Sequence, residues 1–283
     1  MPHWLLHACV SRNWIFVTPD YRLIPEKTAH SAVQDAADAY EWTRTKLPSL
    51  LDRPLSSVLL AGSSAGGYLA LTTAASVVEK PAALLLVYGM LDPTGSWYAS
   101  SQSHLFGQPL PDDVRPILDE YPKSQGSADD RKAISVFPAT NNPQFGQRFG
   151  LVHALHKDAL FPDYLTGMSG LTREIAAKGA EAIPEEHARL FPLSSCNLST
   201  LPRTMLLHGI NDSAVPIDAS RTAEEKLRTA GVEVLTGFPE DGEHGFDVQL
   251  GNVDVEKATH GSIVPTVETL KRVIDFLQSS VAK

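Results

Sequence analysis

Two cysteines in 283 residues are too few for a disulfide framework. Cys9 and Cys196 stand far apart and in no zinc-ligand spacing, which leaves a reducing compartment as the expectation. Positive charge is also short. Lys and Arg number 24 against 33 Asp and Glu, a formal net charge of −9. That is the wrong sign for holding phosphate backbones, so no nucleic-acid partner is expected. Long apolar runs are missing too. The longest, Ala82 to Tyr88, has the length of a buried strand and falls far short of the roughly 20 residues a bilayer span needs. The opening MPHWLLHACV carries neither a cationic n-region nor a small-residue cleavage site, so no signal peptide is read there and a cytoplasmic location is expected. What is present is a 43% hydrophobic content, enough for one sizeable core and too much for a disordered chain.

Short aliphatic runs alternate with longer amphipathic stretches, the pattern of a mostly parallel sheet covered by helices. Five runs read as strands buried on both faces: Trp14 to Thr18, Ser57 to Ala61, Ala83 to Tyr88, Thr204 to His208 and Val232 to Phe238. Between them, Val33, Ala36, Ala37 and Tyr40 share one helix face, and Ala219, Ala223, Leu227 and Ala230 another. Asp218 is the expected N-cap of that second helix and Gly231 its stop signal. A stripe from Val264 to Val281 predicts a long C-terminal helix. The stretch Asp92 to Pro202 interrupts this rhythm. It is too long for a structureless loop and reads as a mostly helical insertion, so the expected division is 1–91 with 203–283 for the sheet domain and 92–202 for an inserted cap.

Gly62-Ser63-Ser64-Ala65-Gly66 follows one predicted strand and opens a helix of small and apolar residues. A G-x-S-x-G in that context is a nucleophile elbow: the serine sits on a tight strand-to-helix turn that only small neighbours permit. Ser64 is thereby the candidate nucleophile, and the Ala65 N–H a donor to an oxyanion. No Lys follows Gly66 and the glycine spacing differs from a phosphate-binding loop, so phosphate cradling is the weaker reading. A serine needs a base, and the base an orienting acid. Asp212 follows the strand ending at His208, and His244 follows the strand ending at Phe238. Both lie at the carboxyl edge where parallel sheets build sites, and the chain order is Ser, Asp, His. Asp212 read alone is equally a turn residue, and the acidic residues around His244 a solvated loop. His208, at a strand end, fits support beside Asp212 better than proton transfer.

Other signals are weaker. His153, His156 and Asp158 share a helix face, but no metal-binding motif contains them, and neither metal nor cofactor is expected. The acidic pairs Asp112-Asp113, Asp129-Asp130, Glu185-Glu186 and Glu224-Glu225 read as solvated faces near helix N-termini. Trp97, Tyr98, Phe106, Phe145, Phe149, Phe161 and Tyr164 are candidates for the lining of an acyl pocket, but most of them read better as the insertion's own core.

These motifs together resemble the α/β-hydrolase fold-3 group, the hormone-sensitive-lipase-like carboxylesterases. Asp20-Tyr21-Arg22-Leu23-Ile24-Pro25-Glu26 is similar to the family's D-Y-R-L-x-P-E stretch, and Asp35 with Trp42 to the helix that follows it. The elbow, the Asp212 loop and His244-Gly245-Phe246 match in order, although the family more often has Asp where this chain has Ser63. The resemblance implies an α/β-hydrolase fold with a helical cap and hydrolysis of small-molecule esters by Ser64, Asp212 and His244. The family's H-G-G-G segment, which supplies further oxyanion donors, has no counterpart: His-Gly-Gly occurs nowhere in the sequence. Pro2 to Arg12 resembles the helix after that segment, so the fold is expected to be N-terminally incomplete, without the family's first three strands. Losing an oxyanion donor typically costs about 10²- to 10³-fold in kcat. The expectation is therefore a serine esterase of reduced activity, with a catalytically weak small-molecule binder, or a lactone or thioester hydrolase of secondary metabolism, as alternatives.

Overall fold

The computed structural model describes residues 1–123, 147–258 and 264–281; Asp129, Asp130 and Phe145 lie outside them. Among the described residues six strands are found: β1 (Leu59–Ser63), β2 (Ala83–Val87), β3 (His104–Leu105), β4 (Gln108–Pro109), β5 (Thr204–Leu207) and β6 (Val234–Gly237). Four of them form a parallel sheet in the order β1-β2-β5-β6, while β3 and β4 make a separate short antiparallel hairpin. Register runs Leu59 to Ala83, Leu84 to Thr204 and Thr204 to Val234.

The chain divides into two compact units, one of Met1–Thr18, Tyr40–Leu91 and Leu198–Lys283, the other of Pro19–Ala39 and Asp92–Asn197. In the first, the central strands β2 and β5 are buried along their whole length. Alternation sends Leu85, Val87, Met205 and Leu207 into one core with Trp4, Leu5 and Ala8 of the helix His3–Ser11 and with Val267, Leu270, Ile274 and Leu277 of the helix Val264–Ser280. Burying each of these Leu side chains stabilises the fold by roughly 2 kcal/mol. The helix Ala65–Ser76 packs against β1 and β2. It is buried from Gly67 through Ala74 and so apolar nearly all round.

Three sequence expectations change here. Trp14 to Thr18 is not a strand. A strand is defined by ladder bonds, and among the described residues no neighbour supplies them; Trp14 and Phe16 pack their rings on the core instead. Only β2 and β5 are buried on both faces, because β1 and β6 end the sheet and their patterns include exposed residues. Asp218 is the first helical residue of Asp218–Thr229, and its side chain caps nothing. The turn before it is closed by the Ala219 N–H donating to Pro216 O. At the other end Gly231 takes a φ of +85°, Val232 N–H reaches Leu227 O and Gly231 N–H reaches Arg228 O, a Schellman stop.

The second unit has its own core of Tyr98, Leu155, Phe161, Leu171, Leu190 and Phe191. Residues 19–39, which the sequence reading placed with the sheet, group with this unit. Arg22 grips Asp35 in a forked pair, and the Arg148 guanidinium pairs with Glu26 and donates to Ile24 O at 2.8 Å. His156 is buried among the rings of Trp97, Tyr98 and Phe161, and burial pulls its pKa down to about 4.

Candidate active site

Ser64 follows β1 directly, with φ 52° and ψ −121°, a conformation few non-glycine residues adopt. Its surroundings fix it there. Ser64 N–H donates to Val87 O at 3.0 Å, while Ser64 O accepts from Gly67 N–H at 3.0 Å and Met90 N–H at 3.1 Å. Small residues are required by close backbone approach. A Cβ on Gly62 would sit 2.0 Å from Gly66 O, and one on Gly67 would sit 2.7 Å from the Gly89 Cα. The Ala65 N–H is the first amide of the helix, a position with no intrahelical acceptor and with the positive end of the helix dipole behind it.

The loops after β5 and β6 are zipped to each other. His208 N–H donates to Gly237 O at 3.0 Å, Ile210 N–H to Pro239 O at 3.0 Å and Asn211 N–H to Gly242 O at 3.1 Å. A Cβ on Gly209 would fall 2.0 Å from Gly242 O, so both loops depend on backbone contact at this point. Glu243 adds a side-chain tie, accepting from Ser213 N–H at 3.2 Å and Ser213 Oγ–H at 3.0 Å.

This zipper brings the three candidate residues together. His244 Nδ1 lies 2.7 Å from Asp212 Oδ2, and His244 Nε2 lies 3.1 Å from Ser64 Oγ. The carboxylate only accepts, so it takes the Nδ1 hydrogen and leaves the Nε2 lone pair facing the serine hydroxyl. The other carboxylate oxygen, Oδ1, accepts from Ala214 N–H and Val215 N–H, both at 2.8 Å. Burial opposes the charge of Asp212, but the N–H edges of His208 and His244 and the Val215 amide outweigh it and hold the carboxyl well below the usual carboxylate range. Asp212 thus stays ionised beside His244. The arrangement is able to take a proton from Ser64 and hold the resulting imidazolium.

His208 supports Asp212 as its strand-end position predicts, whereas Tyr88 carries no local sequence signal. His208 has no exposed side-chain surface; its Nε2 donates to Val215 O at 2.8 Å and passes 3.3 Å from Asp212 Oδ2. Tyr88, the residue after β2, has a φ of +36° and sets its ring 4.6 Å from the His244 ring. Gly209 and Gly242 were equally silent, although the pairing of glycines after adjacent strands was the available clue. Among the described residues no group of three or more His, Cys, Asp and Glu is placed to hold a metal ion. None of the described helices is long and apolar enough to cross a membrane.

Known proteins agree with this architecture. Residues 2–146 match the family described as alpha/beta hydrolase fold. Among curated proteins, the chain is 27% identical to the non-reducing polyketide synthase trt4 of Aspergillus terreus over 89% of its own length and 11% of the synthase. It is 25% identical to Lipase 2 of Moraxella sp. over 86% of its own length and 50% of the lipase. The chain thus spans about a tenth of the synthase and half of the lipase. Among solved structures, a hormone-sensitive lipase from a metagenome library shares the fold with a TM-score of 0.54 and 19% identity, over 99% of this chain and 72% of that one. The chain belongs to the α/β-hydrolase fold family.

Proposed function

We propose that the chain is a serine hydrolase that cleaves carboxylic esters of small molecules through an acyl-enzyme. Ser64 Oγ attacks the acyl carbon as His244 Nε2 takes its proton, and the Ala65 N–H donates to the oxyanion. His244 then returns the proton to the leaving alcohol. Water, deprotonated by the same imidazole, releases the acid and restores Ser64. Asp212 orients the ring and balances the imidazolium throughout. The observation that carries this reading is the continuous link from Ser64 through His244 to Asp212, at 3.1 and 2.7 Å. The likeness to Lipase 2 favours the same chemistry.

A second substrate class, acyl thioesters, draws support from the likeness to polyketide synthases, whose names imply acyl-chain assembly. Only the leaving group differs, a thiol in place of an alcohol. Intact-mass detection of a fluorophosphonate adduct tests the shared mechanism. Adduct on the wild type and none on Ser64→Ala is expected; equal labelling of both, or none on either, overturns the reading and favours a binder. Relative kcat/KM for short p-nitrophenyl esters and matching N-acetylcysteamine thioesters then decides between the two leaving groups.

A further inference from the structure

Asp247 is a second buried carboxyl group near the site, one that the proposed reaction does not use. It is 2% exposed and stands three residues after His244, on the short helix Phe246–Gln249. Two donors hold it. Tyr88 Oη–H reaches Oδ1 at 2.6 Å, the length of a charge-assisted bond, and Trp4 Nε1–H reaches Oδ2 at 2.9 Å. The donors are themselves buried, Trp4 at 1% and Tyr88 at 3% exposure. They come from parts of the chain 243 and 159 residues away. A carboxyl group this deep costs several kcal/mol to desolvate unless its partners are well placed, so removing either partner is expected to be felt.

The Tyr88 end of this network reaches the imidazole. Its ring lies 4.6 Å from the His244 ring with 55° between their planes, and it meets Phe246 edge-on at 6.0 Å. Tyr88 holds this position with a backbone φ of +36°, which for a bulky residue is strained and persists only where its surroundings fix it. Its N–H bond to Leu207 O at 2.7 Å and its phenol bond to Asp247 are such constraints. Burial, with the charge of Asp247 next, keeps the phenol protonated far beyond neutral pH, so it remains a donor.

We infer that Asp247 is a positioning residue of the site: braced by Trp4, its carboxyl group fixes the Tyr88 phenol so that the Tyr88 ring packs against His244 and stabilises its protonated form. The inference rests on the serine-hydrolase reading for its catalytic meaning. An aromatic face against a cation is attractive, and the carboxylate behind the phenol adds to the same effect across one ring. Ser64 also faces His244, at Nε2, as does Asp212 at Nδ1, with His208 beyond Asp212. Its chain neighbour Glu243 is engaged by Ser213. Asp212 thus holds the ring at Nδ1, whereas Tyr88 packs beside it with its ring tilted by 55°.

The test is the titration of His244 by NMR in the full chain with isotope-labelled histidine, its signal assigned among ten histidines with His244→Gln. Asp247→Asn keeps the shape and removes the charge; Tyr88→Phe keeps the ring and removes the phenol bond. The His244 midpoint is expected to fall in Asp247→Asn and by less in Tyr88→Phe. The high-pH rate of fluorophosphonate labelling is expected to fall about threefold or more in both. A purely structural Asp247 would lower the unfolding midpoint and leave the His244 titration unmoved. An unmoved titration in either folded variant overturns the inference, and Tyr88→Phe decides it if Asp247→Asn does not fold. Should wild-type Ser64 fail to label, the hydrolase reading falls, while the imidazole titration still decides whether Asp247 and Tyr88 act on His244.

Discussion

His208 and His244 leave adjacent strands, β5 and β6, at one edge of the sheet, and both approach Asp212 Oδ2, at 3.3 and 2.7 Å. Their remaining contacts differ. His208 is fully enclosed, with Nε2–H given to Val215 O at 2.8 Å and Nδ1 set 2.7 Å from Ser220 Oγ. Because the Val215 carbonyl only accepts, the tautomer is fixed and Nδ1 takes the Ser220 hydrogen. Neither nitrogen is free to exchange a proton. His244 keeps 14% of its side chain exposed and turns its second nitrogen to a hydroxyl poised on a strained turn. The same carboxylate therefore faces one imidazole built as structure and one built to take up a proton. The difference lies in what satisfies the second ring nitrogen.

Glutamine in place of each histidine sharpens this contrast most. His244→Gln is expected to lower fluorophosphonate labelling by about 10⁴-fold or more, with an unfolding free energy close to wild type. His208→Gln is expected to do the reverse. Its amide carries both polar atoms at the tip of the side chain and cannot occupy the Nδ1 and Nε2 positions at once to satisfy both Ser220 Oγ and Val215 O. Urea unfolding should therefore show a loss of about 2 kcal/mol, with labelling reduced only about tenfold. Equal losses of labelling, or equal losses of stability, would break the comparison.

Asp212 offers a test through pH. Its folded carboxyl titrates below the ordinary value of 3.8, so the stability it contributes is fully present above that value and is lost as pH falls through the folded one. Asp212→Asn is therefore expected to be less stable than wild type at neutral pH, with the two acid-unfolding curves converging below about pH 4. Asparagine would also set an amide donor or a weaker acceptor against two imidazole N–H groups. Acid unfolding followed by circular dichroism reads the effect. Parallel curves down to the lowest pH would mean that the carboxylate gains nothing from its two histidines.

How much of this was legible in the sequence depends on distance along the chain. The elbow is a five-residue pattern, and the buried strands β2 and β5 are aliphatic runs, so both are visible locally. The ends of β1, β5 and β6 place Ser64, Asp212 and His244 at one sheet edge, which strand order alone suggests. Trp14 to Thr18 has the composition of a strand, but composition does not supply a hydrogen-bonded neighbour. The exposed residues of β1 and β6 were missed for a related reason, since a run of residues does not say which strand ends the sheet. Trp4, Tyr88 and Asp247 form one network from three distant segments, with no shared periodicity to betray it. The contact of Gly209 with Gly242 likewise exists only once two loops lie side by side.

The smallest expected effect isolates the tautomer lock. Ser220 is fully buried on the helix Asp218–Thr229 and gives its hydroxyl hydrogen to His208 Nδ1. Ser220→Ala removes that one donor and leaves the Val215 bond and the Asp212 contact in place. The His208 Nδ1 lone pair then has no partner from this helix, at a cost of about 1 kcal/mol in urea unfolding. Labelling of Ser64 should stay within about twofold of wild type, because His244 keeps both of its own partners. If labelling instead falls as far as in His208→Gln, then His208 acts on Asp212 chiefly through its tautomer, and the boundary between the structural and the reactive histidine must be drawn at Ser220 and not at His208.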